Sequence, residues 1–231
     1  MRYSTVFKRM TCTVLAAAVL TLPAFAWKVD KQDMTQVEVE VEEGVTIGPS
    51  DWAKSEVEKA AEAGLIPRFT GNPSYQDQIT REQFAQLAVQ LVEVIQEAEL
   101  PAASEGTFSD SDSLAVRKAS QAGIVTGTGG DKFAPTLVTN REQIATMLYR
   151  AVGTIETATG VDLAPKAGSI EGYTDRASVS AWAAEGVGAL AANGIMKGTS
   201  GATLSPQDSC SVEQAILLAY RMYAQFGELK G

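Results

Sequence analysis

Asn140-Arg141-Glu142-Gln143 decides the fold, because its pattern stands twice more, at Thr80-Arg81-Glu82-Gln83 and Ser211-Val212-Glu213-Gln214. Each copy follows a helix-like stretch that closes on Ala-Gly-Leu-Ile, Ala-Gly-Ile-Val or Asn-Gly-Ile-Met. The offset is 17 residues from Gly64 to Arg81, 18 from Gly123 to Arg141 and 18 from Gly194 to Val212. A spacing kept three times marks one supersecondary unit used three times. In each copy a Thr, Asn or Ser stands three residues before a Gln, the signature of a capping box that starts a helix.

Working outward, the first unit spans 49–96. A helix begins at Ser50 or Asp51, carries Trp52, Val57, Ala60 and Ala61 on one face, and stops at Gly64 as a C′ glycine. Pro67, Gly71, Asn72 and Pro73 make a loop. Thr80 then caps a helix whose stripe is Phe84, Leu87, Ala88, Leu91, Val92 and Ile95. The second unit, 108–152, has a short helix with Leu114, Val116 and Ala119, a loop from Gly127 to Pro135, and a helix striped by Ile144, Met147, Leu148 and Ala151. The third, 173–226, has a first helix with Trp182, Val187 and Leu190, a loop from Gly198 to Pro206, and a second helix burying Ala215, Leu218, Ala219 and Met222. Linkers at 97–107 and 153–172 separate the units, and 227–231 is a tail. Helices of about 12 to 18 residues are marginal alone in water. The units must therefore bury their stripes against one another, and three copies suffice to share a core.

The first 26 residues read as a secretory signal peptide. Lys8 and Arg9 precede the apolar run Val14 to Leu22, which is too short to span a bilayer, and Ala24-Phe25-Ala26 offers a small-x-small cleavage site. Residues 27–48 form a leader in which Val37 to Glu42 alternates at a strand period, as an edge strand or without order. Removing the three basic residues of the signal takes the formal charge from −9 to −12. So acidic a surface argues against nucleic acid, and no membrane contact is expected after signal cleavage. One cysteine, Cys210, would remain, expected as an inert half-buried thiol.

The chain has no histidine. That removes imidazole general acid–base catalysis, the Ser-His-Asp triad and imidazole metal ligands, and one thiol builds no zinc site. Asp110-Ser111-Asp112 lacks the glycine and glutamate of a calcium loop, and Gly127-Thr128-Gly129-Gly130 lacks the flanking strand and lysine of a phosphate loop. No catalysis, cofactor or metal is expected.

The recurring unit reads Phe-Ser/Thr-Asp, helix, Gly-Ile, Gly-Thr-Gly, Phe-x-Pro, Thr-Arg-x-Glu, helix, and it resembles the S-layer homology domain. The second unit matches at Phe108-Ser109-Asp110, Ala122 to Gly129, Phe133-Ala134-Pro135 and Arg141-Glu142. The third matches at Tyr173-Thr174-Asp175, Trp182-Ala183, Asn193 to Thr199 and Leu204-Ser205-Pro206. The first matches at Asp51-Trp52-Ala53, Gly64 to Pro67 and Ile79 to Ala85. The resemblance implies an all-α fold, with three helix-loop-helix repeats packed as a pseudo-threefold module. It also implies a role: secreted, noncovalent anchoring on the bacterial cell wall through a peptidoglycan-linked, pyruvylated secondary polysaccharide.

The same resemblance assigns the sugar site to the arginine of Thr-Arg-x-Glu and the tryptophan of the first helix. Here these are Arg81, Arg141, Trp52 and Trp182, with Asp51 and Lys197 as lesser candidates. A planar guanidinium suits a carboxylate, and a helix N-terminus favours an anion. The pattern is incomplete: Ser111 stands where the tryptophan is expected in the second unit, and Val212 replaces the arginine in the third. Trp52 and Trp182, each 12 residues before its glycine, are either core residues or sugar platforms. Glu82, Glu142 and Glu213 read as dipole and cap support. Replacing both arginines with alanine is expected to weaken wall binding with the fold intact. The alternative is a surface protein-interaction or assembly module that has lost glycan binding, which the gaps in the pattern and the five residues after Phe226 favour.

Overall fold

The capping-box signals become helix starts in the computed structural model, which describes residues 48–162 and 168–230, with side chains described to 225. The signal segment and the alternating Val37–Glu42 stretch lie outside the described residues. Six α-helices appear among the described residues: α1 (Asp51–Glu62), α2 (Arg81–Gln96), α3 (Leu114–Gln121), α4 (Arg141–Thr159), α5 (Ala184–Ala192) and α6 (Val212–Lys230). Among the described residues extended backbone occurs only as isolated bridges, so the fold is all-α. Both halves of the capping box form at Thr80/Gln83, Asn140/Gln143 and Ser211/Gln214. Gly64, Gly123 and Gly194 end the first helices with φ of 70°, 72° and 68°, a conformation glycine adopts without the Cβ clash.

Pairing crosses the expected units. The first helix of each unit packs on the second helix of the unit before it: α3 on α2, α5 on α4, and α1 on α6. Contacts of α2 with α4 and with α6 add the centre. Phe84, Leu87, Leu91, Ile144, Leu148, Ile155, Ile216 and Ala219 are all buried there.

The three helix starts are tied head to tail by backbone bonds. The amides of Arg81 and Glu82 donate to Leu137 and Pro135, those of Arg141 and Glu142 to Asp208 and Pro206, and those of Val212 and Glu213 to Asp77 and Tyr75. Helix N-terminal amides have no partner within their own helix, and here each set is satisfied by the next loop around. The residue before each cap closes a ring. Ile79 N–H donates to the Cys210 carbonyl, Cys210 to Thr139 and Thr139 to Ile79. All three residues are fully buried. Cys210 is thus not half-buried as expected: it sits within the ring, and burial pushes its thiol up to about 12.

Three expectations about boundaries need correction. α4 continues to Thr159, seven residues past the expected end at 152, because Ile155 extends the buried stripe and Gly160 supplies the left-handed cap. α6 runs to Lys230, through what was expected to be tail. Trp182 lies in the turn before α5, not in that helix.

Ser50 precedes α1 but does not cap it. Its amide and hydroxyl donate instead to the Glu213 carboxylate, at 2.9 Å each, and Ser180 makes the same pair of bonds to Glu142 at 2.9 and 2.8 Å. Both carboxylates are buried at position N2, so besides meeting the helix dipole they latch one unit to the next. Glu213→Ala is expected to cost about 1–2 kcal/mol in chemical denaturation, since it removes the acceptor of a half-buried amide and hydroxyl. A cost equal to that of Glu82→Ala, whose half-buried carboxylate meets only Thr70 among the described residues, at 3.3 Å, would show that the latch carries no stability.

Candidate functional site

Two clefts flank the helix starts, and each is assembled from the same kinds of side chain. One, of about 270 Å³, is lined by Arg81, Thr126, Gly127, Gln143, Thr146, Met147, Arg150 and Trp182. The other, of about 370 Å³, is lined by Arg141, Lys197, Gly198, Thr199, Gln214, Leu217, Leu218, Arg221 and Trp52. Thus Arg81 and Trp182 meet in one cleft, and Arg141, Lys197 and Trp52 in the other. Asp51 lines neither.

The arginines are anchored from behind. Arg81 Nε donates to the Phe133 carbonyl at 2.8 Å and Nη2 to Thr126 at 3.0 Å, and its guanidinium lies 4.7 Å from the Phe133 ring centre. Arg141 repeats this with Leu204 at 2.8 Å and Lys197 at 2.9 Å. The two residues are only 7% and 5% exposed, and burial lowers both pKa values. Bonds to the neighbouring loop offset the unfavourable position of a cation at a helix N-terminus. Removing both arginines is therefore expected to cost stability as well as binding, because each guanidinium holds two loop carbonyls of the next unit.

The tryptophans are not core residues: Trp52 is 60% and Trp182 57% exposed, among the few large apolar side chains left open. The second unit has no counterpart for a physical reason. Thirteen residues separate Asp110 from Gly123, against nineteen from Asp175 to Gly194, and the missing stretch is the one that carries the tryptophan turn.

Loop geometry sets the cleft floor. Asp110 accepts the amides of Phe133 and Ala134 at 2.8 and 3.0 Å, and Asp175 accepts those of Leu204 and Ser205 at 2.9 and 2.7 Å. Ala134 and Ser205 have φ of 58° and 50°, strained for residues with a Cβ, and the carboxylate bonds hold them there. Gly127 and Gly198 are required by space: a Cβ would come within 2.8 Å of the Lys132 carbonyl in the first, and 2.6 Å of the Ser200 and Thr203 carbonyls in the second.

The amide bond from Phe133 lowers the pKa of Asp110. For Asp175, desolvation raises the value, but its backbone hydrogen bonds and the charge of Arg141 together outweigh it and the net shift is downward. Glu56 is lowered by its hydrogen bonds from Arg221. A depressed carboxylate contributes stability that is present above its unfolded pKa and lost as pH falls through the folded one. The melting temperature should therefore hold above about pH 4 and fall below it. Asp110→Asn with Asp175→Asn should make that acid fall shallower; an unchanged slope in thermal scans at pH 4 to 2 would reject the two loop carboxylates as its source.

Sequence reasoning missed Gln143, Thr146, Met147 and Arg150, and likewise Gln214, Leu217, Leu218 and Arg221, as cleft walls. The signal was present: spacings of three, one and three place each set on one helix face.

The family model of the S-layer homology domain matches residues 109–145 and 172–216. Over 105 residues, 43% of this chain, the sequence is 30% identical to an amylopullulanase of Thermoanaerobacterium thermosulfurigenes, of which the match covers 6%. Over the same length it is 28% identical to exoglucanase XynX of Acetivibrio thermocellus, covering 10% of that protein. The chain thus matches only a small part of each relative. Among the described residues no helix is long and apolar enough to cross a membrane, and no cluster of His, Cys, Asp and Glu could hold a metal.

Proposed function

We propose, from the premise that this chain carries S-layer homology domains, that it grips a secondary cell-wall polysaccharide in the two tryptophan–arginine clefts. The domain is a cell-wall anchoring module, and the chain is a cell-surface protein. The finer reading is noncovalent attachment to a peptidoglycan-linked glycan bearing ketal pyruvate, by a secreted, non-catalytic module of three units (49–96, 108–152 and 173–226) arranged about a pseudo-threefold axis. The head-to-tail bonds and the Ile79–Thr139–Cys210 ring support the three-unit arrangement.

The observation that carries the glycan reading is the pairing of each open indole with a guanidinium fixed in place by backbone carbonyls. An indole face covers the apolar face of a pyranose, while the guanidinium offers a carboxylate the N–H groups its loop bonds leave over. Arg81, Trp182 and Arg141, Trp52, Lys197 are the proposed contacts. Asp51 has no place in either cleft.

The test is co-sedimentation of the secreted protein with purified sacculi, beside sacculi stripped of secondary polysaccharide. Binding that disappears on stripping is expected. Equal binding to both would place the ligand in peptidoglycan itself, and binding to neither would reject the anchor in favour of a protein partner.

A further inference from the structure

The two clefts are lined by corresponding positions of successive units and differ in where they keep an available cation. Positions 71 residues apart correspond: Thr126 with Lys197, Gln143 with Gln214, Thr146 with Leu217, Arg150 with Arg221. Arg150 is exposed at the far end of its cleft and makes no ion pair among the described residues. Arg221, its counterpart, is held by Glu56: Nε donates at 2.9 Å and Nη2 at 2.7 Å to the two carboxylate oxygens. That bidentate pair cancels the charge and fixes the guanidinium against α1.

The reason for the difference lies four residues after each tryptophan. Glu56 follows Trp52, whereas Gly186 follows Trp182. A Cβ at Gly186 would lie 3.2 Å from the Ala145 carbonyl oxygen and from Thr146 Cα, and 3.3 Å from Tyr149 Cβ. α5 packs so closely on α4 that a side chain at this position would crowd the α4 backbone, and with glycine there no carboxylate stands opposite Arg150. At the loop end the roles reverse, with the exposed Lys197 standing where the other cleft has Thr126.

We propose that the two clefts are not equivalent sites: Arg150 sets charge specificity in the Arg81–Trp182 cleft, Lys197 does so in the Arg141–Trp52 cleft, and Glu56 holds Arg221 out of use. Beside the anchored Arg81 or Arg141, a glycan carboxylate meets a second cation, helix-borne in one cleft and loop-borne in the other. One polymer therefore engages the two clefts in different registers. This inference rests on the glycan-binding reading above.

The experiment uses the indole N–H signals of Trp182 and Trp52, assigned with Trp→Phe variants, as separate reporters. Polysaccharide released from purified sacculi is titrated into the ¹⁵N-labelled protein. Arg150→Gln is expected to move the Trp182 midpoint to about tenfold more polysaccharide. Lys197→Gln is expected to do the same to the Trp52 midpoint, and Glu56→Gln to move the Trp52 midpoint severalfold lower by releasing Arg221. If every variant moves both midpoints together, the cations act only through net charge and the inference is wrong. It is equally wrong if Arg150→Gln leaves the Trp182 midpoint in place. If neither indole responds to the polysaccharide even in the unmodified protein, the glycan reading itself fails and takes this inference with it.

Discussion

Replacing Trp52 and Trp182 together with alanine is expected to abolish sedimentation with sacculi while the melting temperature stays within about 2 °C. The rings are 60% and 57% exposed, so their removal opens no cavity in the core. Covering a large apolar side chain completely is worth about 1.5–3 kcal/mol. With each ring already partly covered, stacking on a sugar adds roughly 1–2 kcal/mol apiece. Two clefts engaging one polymer multiply their effects, so the double variant should bind roughly 30- to 1,000-fold more weakly. This variant separates binding from folding where the arginine variants do not. Full binding by a folded double variant would leave the clefts without a role and turn attention to the protein-interaction alternative.

The helices were legible in the sequence because their signals are local. A capping box and a C′ glycine are each set by a few neighbouring residues, and all three copies of each formed as their spacing implied. The partner of each helix was not legible. A 3.6-residue stripe says which face is buried, not against what, and α1, α3 and α5 turned out to pack on the preceding unit's second helix. Glu142 and Glu213 show the same limit: position N2 explains their charge, but only the fold brings Ser180 and Ser50 within 3 Å. At the site, the sequence singled out tryptophans and arginines that line the two clefts, but not their combination. Trp182 serves Arg81, and Trp52 serves Arg141, because the clefts form between units rather than within them. Arg150 carries no motif that singles it out in the sequence. What sets it apart is a glycine 36 residues away that denies it a partner, a relation with no trace in local pattern.

Arg81→Ala is expected to destabilise the fold by about 3–5 kcal/mol, the largest effect of any single change considered. The variant loses two hydrogen bonds from a charged donor, to Phe133 and Thr126, each worth about 1.5–3 kcal/mol when buried. It also loses the guanidinium over the Phe133 ring, which Arg141 lacks. For a domain of this size that lowers the melting temperature by roughly 10 °C. Lysine does not rescue it, because one ammonium cannot reach both carbonyls in the geometry of a planar fork. The third helix start shows what the arginine adds. Val212 keeps the backbone bond to Asp77 without any guanidinium, and that seam carries the Glu56–Arg221 pair, which joins α1 to α6. The bolt between units is thus retained in all three seams and changes only its chemistry. Thermal unfolding of Arg81→Ala beside Arg141→Ala checks this: the first should melt lower than the second, and both far below the tryptophan variant. If both melt with the unmodified protein but lose sacculi, the arginines act on ligand alone and the seams are held by their backbone bonds.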